Sequence, residues 1–150
     1  MKNFFLVLFF AIGLVPETFA QSFPERCEGK WEGTMHIWAK GMLVDSVGIL
    51  FSVQPFAGEA GYWYWKTEYV SEKVPMVKDY TLIQKQDTLN EFLMDEGDGV
   101  VLTNYVFGNK MYGLFRVGKV LLTSCYELVG EHLIFEVTSG QKEKTKSKGV

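Results

Sequence analysis

The sequence predicts an all-β domain, an antiparallel up-and-down β-barrel of about 8–10 strands with little helix. Three observations carry that expectation. Apolar and polar residues alternate with period two along most of the chain, as in Trp31, Gly33, Met35 and Ile37 against Glu32, Thr34, His36 and Trp38. Glycine-bearing turn signals recur at a spacing of roughly 9–12 residues, the mark of a meander. After residue 20 no segment shows a helical period.

The first residues read as an export signal. Lys2 gives a positive start, Phe4 to Val15 is an apolar run, and Pro16 ends it. Thr18, Phe19 and Ala20 put small residues at cleavage spacing, so the cut is expected after Ala20. The run is short of the roughly 20 apolar residues of a bilayer span. Residues 1–20 are therefore the expected signal peptide, 21–140 one barrel domain, and 141–150 a disordered Lys-rich tail. The rival reading is an uncleaved N-terminal anchor. The expected location is secreted or periplasmic, with no membrane contact once the signal is removed.

The strands follow in order. Trp31 to Trp38 alternates, and Lys40-Gly41 turns the chain. Val47, Ile49, Phe51 and Val53 line one face of the next run, which Pro55, Gly58 and Gly61 interrupt. Then Trp63, Trp65, Thr67 and Tyr69 alternate against Tyr62, Tyr64, Lys66 and Glu68, and a weaker strand spans about Val77 to Lys85. Further runs begin near residues 89, 100, 111, 120 and 132. Between them lie Glu96-Gly97-Asp98-Gly99, Gly108-Asn109, Gly118-Lys119 and Val129-Gly130-Glu131. Short hairpin turns need positive φ, which glycine adopts without strain. An open meander of about nine strands exposes two edges that invite aggregation. Closure of the last strand onto the first removes them. A two-sheet sandwich is the competitor, but its crossovers run longer than these connections.

The segment Gly29-Lys30-Trp31, opening an alternating strand soon after a secretion signal, resembles the G-x-W start of lipocalins and the wider calycin barrels. The resemblance implies that Trp31 plugs the closed end of the barrel and that Gly29 lets the chain enter the first strand closely. It also implies a partner for Trp31 in a late-strand arginine. Arg116, in Met111 to Val117, is the candidate for stacking on Trp31. The alternatives are an inward Arg116 holding a ligand carboxylate and an Arg116 facing solvent. No long helix follows the barrel and no helix pair follows the first strand. The outline is thus nearest the compact streptavidin-like and nitrobindin-like members, whose binding residues cannot be matched here.

Charge and chemistry narrow the function. The chain carries a formal charge of −3, and its tail holds Lys142, Lys144, Lys146 and Lys148 against Glu143, so the body is distinctly acidic. Nucleic acid is not an expected partner, because phosphate binding needs a basic face. The two cysteines, Cys27 and Cys125, form a disulfide if they follow the habit of exported pairs; the alternative is two buried thiols. His36 is expected to face solvent, and His132 lies at a turn, so neither has metal-ligand spacing. Asp95 to Gly99 reads as an acidic hairpin turn rather than a calcium loop. No nucleophile elbow, phosphate loop or dinucleotide fingerprint is present. The chain is not expected to be an enzyme or to carry a cofactor.

The surplus is aromatic. After residue 20 the chain keeps seven Phe, seven Tyr and four Trp. Side chains alone fill a narrow barrel, but about eight to ten strands leave room for one small ligand. Met35, Trp63, Trp65, Tyr69, Phe92 and Phe115 are the expected ligand-binding residues. The expected function is binding of a small hydrophobic or amphipathic molecule. The alternative is a filled barrel that binds a protein through an outer patch of Trp38, Tyr62 and Tyr64.

Overall fold

A computed structural model describes residues 21–71 and 75–141. The expected signal peptide and Lys142–Lys148 lie outside them. One short helix, α1 (Phe23–Cys27), precedes nine strands: β1 (Gly29–Ala39), β2 (Met42–Pro55), β3 (Tyr62–Val70), β4 (Met76–Gln84), β5 (Glu91–Asp95), β6 (Val101–Phe107), β7 (Lys110–Val117), β8 (Val120–Val129) and β9 (His132–Gln141). They form a single antiparallel sheet in sequence order that curls into a nearly closed barrel.

Closure is incomplete in its hydrogen bonds. Among the described residues no ladder joins β9 to β1, so the expected meeting of the end strands is replaced by a seam. Side chains bridge the interior instead. Phe51 of β2 stacks on Tyr126 of β8 at 5.8 Å, and Tyr126 stacks on Phe135 of β9 at 4.3 Å. Trp65 meets both Phe51 and Tyr126 edge-on at 5.1 Å. Edge-to-face and offset stacks are the favoured aromatic geometries.

The helix is the element the period-based reading missed. Its signal is local: Ser22 at the N-cap, Pro24 in the first turn and Glu25 three residues on. The Glu25 carboxylate accepts the Ser22 backbone N–H at 2.6 Å. Phe23, Pro24 and Cys27 are buried against one pole of the barrel. Arg26 pins the helix there, donating to Asn109 Oδ1 at 2.6 Å and to the Gly108 carbonyl at 2.8 Å. Gly29 then turns the chain into β1 at φ +130°, which L side chains rarely adopt.

The core is one-sided along the barrel axis. Val53, Trp63, Trp65, Leu82, Phe92 and Met111, all fully or nearly buried, come from the strand ends nearest α1. Towards the other pole the inward side chains become more exposed: Met76 at 43 % and Val137 at 51 %. The inner wall is therefore buried near α1 and more exposed towards the opposite pole.

Candidate functional site

Alternation puts all six expected binding residues on the inner wall, but at two depths. Trp63, Trp65 and Phe92 are buried in the packed half. Trp63 touches Phe92 at 6.2 Å, and its indole N–H donates to Glu28 Oε1 at 3.1 Å. Met35, Tyr69 and Phe115 are half-buried and line the open half. Their register partners complete that wall: Val47 beside Met35, Ile49 beside Tyr69, Leu122 beside Phe115.

Sequence reasoning missed the polar part of this chamber. On β4, Lys78 and Tyr80 share the inner face with Leu82, pairing with Thr67 and Trp65. Burial pushes the Tyr80 hydroxyl up to about 12, helped by the Glu96 carboxylate that bonds it. Burial also raises the Tyr69 phenol, and more strongly that of Tyr126. The three are close enough to act on one another electrostatically. At the floor, the Trp65 indole N–H is buried without a hydrogen-bond partner of good geometry, although the edge-on Tyr126 phenol feels it. The inner wall is thus mostly apolar, with Tyr69, Tyr80, Tyr126, Lys78 and Glu96 converging on one side. The weak β4 pattern hid this, because Lys78 and Tyr80 interrupt an apolar alternation that only the ladder partners restore.

The proposed end plug divides. Trp31 is half-buried against the core at the α1 pole, and its N–H donates to the Cys27 carbonyl at 2.9 Å. Arg116 does not join it. It sits near the far end of β7, pairs with Leu121, and is exposed on the outer wall. An inward Gly113 and Phe115 force Arg116 outward, so the stacked and the ligand-carboxylate placements both give way to the solvent-facing one.

The cysteines are not bridged. Cys27, the last residue of α1, is buried, and desolvation pushes its thiol up to about 12 despite the nearby Arg26. Cys125 precedes the inward Tyr126, so it faces the outer wall opposite Tyr112 and Glu136. The barrel wall separates the two sulfurs, and the expected disulfide is absent for that reason.

Other expected features take their places. His36 is exposed and shares a hydrogen bond of 2.9 Å with the Ser46 hydroxyl. Asp95 and Asp98 accept the Gly97 and Val100 backbone N–H groups in the β5–β6 turn. Among the described residues no group of three or more His, Cys, Asp or Glu is arranged to hold a metal ion. Trp38 does not share a patch with Tyr62 and Tyr64. Leu43, its partner, and Gln54, the partner of Tyr64, lie about 36 Å apart along β2.

Comparison with known proteins finds no matching family model, curated protein or solved structure. The function is argued from the chamber itself.

Proposed function

We propose that this is a calycin-like, non-catalytic barrel, exported through a cleaved signal peptide, that binds a small amphipathic molecule in the open half of its interior. The observation that carries the reading is the change of the inner wall along the axis, from fully packed around Trp65 to half-exposed around Met35, Tyr69 and Phe115. Ligand sites are largely apolar concavities with a few convergent polar groups. Here the apolar part of a ligand rests on Ile49, Phe115 and Leu122, while the phenols of Tyr69 and Tyr80 and the Lys78 ammonium meet its polar end. The open seam and mouth suit a molecule whose head stays in contact with water.

Native mass spectrometry of protein purified from its own host is the test. A co-purifying small molecule, lost or weakened in Phe115→Ala and Lys78→Gln, is the expected result. Apo protein that also binds no polarity-sensitive fluorescent probe overturns the reading. A second reading, a ligand-free interaction barrel, draws on the outer β6–β7 face, where Tyr105, Phe107 and Tyr112 are all exposed. It predicts a protein complex lost on Phe107→Ser.

A further inference from the structure

An odd number of strands leaves this sheet with two edges that run the same way. Every neighbouring pair is antiparallel, so β1 and β9 both run from the α1 pole to the opposite one. Direct closure would need a parallel ladder, whose slanted bonds are slightly weaker. The two edges stand apart instead. Paired strands lie about 4.8 Å from each other, whereas β1 and β9 hardly come within 8 Å between Cα atoms. One extra strand between them needs two such spacings, about 9.6 Å, and would run antiparallel to both.

Cover is lost sideways towards this seam as well as along the axis. On one level of the ladder Met111 is fully buried, Tyr126 is 6 % exposed and Phe135 is 38 % exposed. On the next level Gly113 is buried, Ser124 half-buried and Val137 exposed. Across the gap Thr67 and Phe51 are buried, while Trp31 on the same level is half-buried. A Cβ on Gly33, between Trp31 and Met35, would meet nothing within 4 Å. The seam is thus a slot with an apolar floor of Trp31, Met35, Phe135 and Val137, flanked by the unpaired backbone edges of β1 and β9. Such edges are templates for a further strand.

The outer rim and the width select the occupant. Glu32 on β1 and Glu136 on β9 are exposed on the outer wall, each in the half of its strand nearer α1. Among the described residues neither is in an ion pair. A cation on the outer face of an inserted strand would lie between them. Only an isolated strand has both edges free. Every strand of a second copy is already paired on at least one edge, so a copy of this chain could cap β1 or β9 but not span them. A helix, about 10 Å across, offers no free backbone groups to either edge.

We infer that the seam binds one extended peptide segment of another protein, apolar at its inward residues and bearing lysine or arginine at a central outward position. The segment enters as a tenth strand, antiparallel to both neighbours. It covers Phe135 and Val137 and sets its cation between Glu32 and Glu136. The slot does not depend on any cargo in the chamber.

The probe is a fluorescein-labelled peptide, Thr-Val-Thr-Val-Lys-Val-Thr-Val-Thr, titrated by fluorescence anisotropy with protein purified from its own host. Saturable binding of one peptide per protein is expected. Successive N–H groups of an extended strand alternate between its edges. N-methylating the valines therefore silences one edge, and N-methylating the threonines and lysine silences the other. Each form should bind at least about tenfold more weakly, because each loses a whole ladder. Val137→Lys, at an exposed position, should weaken binding about tenfold and leave the circular dichroism unchanged. The double variant Glu32→Lys, Glu136→Lys should weaken the lysine probe and strengthen one carrying glutamate in its place. Amide hydrogen exchange in β1 and β9 should slow on binding. No binding, a loss on N-methylation of one edge only, unchanged exchange in β1 and β9, or a self-associating protein that the probe does not disperse overturns the inference.

Discussion

Removing Trp65 should separate the packed half of the barrel from the open half. Trp65 is fully buried and meets Phe51 and Tyr126 at 5.1 Å each. Burying roughly 200 Å² of tryptophan surface at about 25 cal/mol per Å² is worth about 5 kcal/mol. Truncation to alanine in a core costs about 3–5 kcal/mol. A barrel of this size holds roughly 6–18 kcal/mol in total, at about 0.05–0.15 kcal/mol per residue. Trp65→Ala therefore removes a large share of the stability, and a melting temperature falling about 3–5 °C per kcal/mol drops by roughly 10–25 °C. Phe115→Ala, at a half-buried position on the inner wall, should cost less than about 1.5 kcal/mol, because much of its ring is already wet. Thermal and urea melts followed by circular dichroism give both numbers. Equal losses for the two variants would show that the upper interior is packed as tightly as the floor, and the chamber with its proposed ligand would have to be abandoned.

Thiol titration should find two free cysteines in denaturant. In the native protein Cys27 should stay silent at pH 8, because its thiol is buried and pushed up to about 12; no free thiol in denaturant would restore the bridge. The inward phenols of Tyr69, Tyr80 and Tyr126 are all raised by burial. The unfolded chain therefore loses those protons first, near pH 10, and folding stability is intact below that point and declines above it as pH rises towards the folded values. Urea midpoints between pH 8 and 11.5 test the sign, and a midpoint flat across that range counts against three buried phenols. Trp31→Phe deletes the bond to the Cys27 carbonyl and should cost about 0.5–1.5 kcal/mol, read from the same melts. Gly113→Ala should cost about 1–3 kcal/mol. Its Cβ would lie 2.6 Å from both Asn104 Oδ1 and Ser124 Oγ, and Asn104 is held by its bond to the Leu102 carbonyl. A wild-type melt for Gly113→Ala would mean that those side chains swing aside freely.

The alternation of Trp31, Met35, Trp63, Trp65, Tyr69, Phe92 and Phe115, with glycine between runs, already determined the meander and the inward face of each of these residues. Period two and turn chemistry are local properties, set by neighbours in the chain. The Ser22, Pro24 and Glu25 signature of α1 was legible too, but five residues are too few to show a period. What only the tertiary structure decided depends on contacts between distant segments. These are the depth at which each inward residue sits, the barrel wall between Cys27 and Cys125, the outward placement of Arg116 and the convergence of Tyr69, Tyr80 and Tyr126. The unpaired seam between β1 and β9 belongs with them. Each is set by ladder register and barrel curvature, which bring together residues far apart in the chain that no local pattern couples.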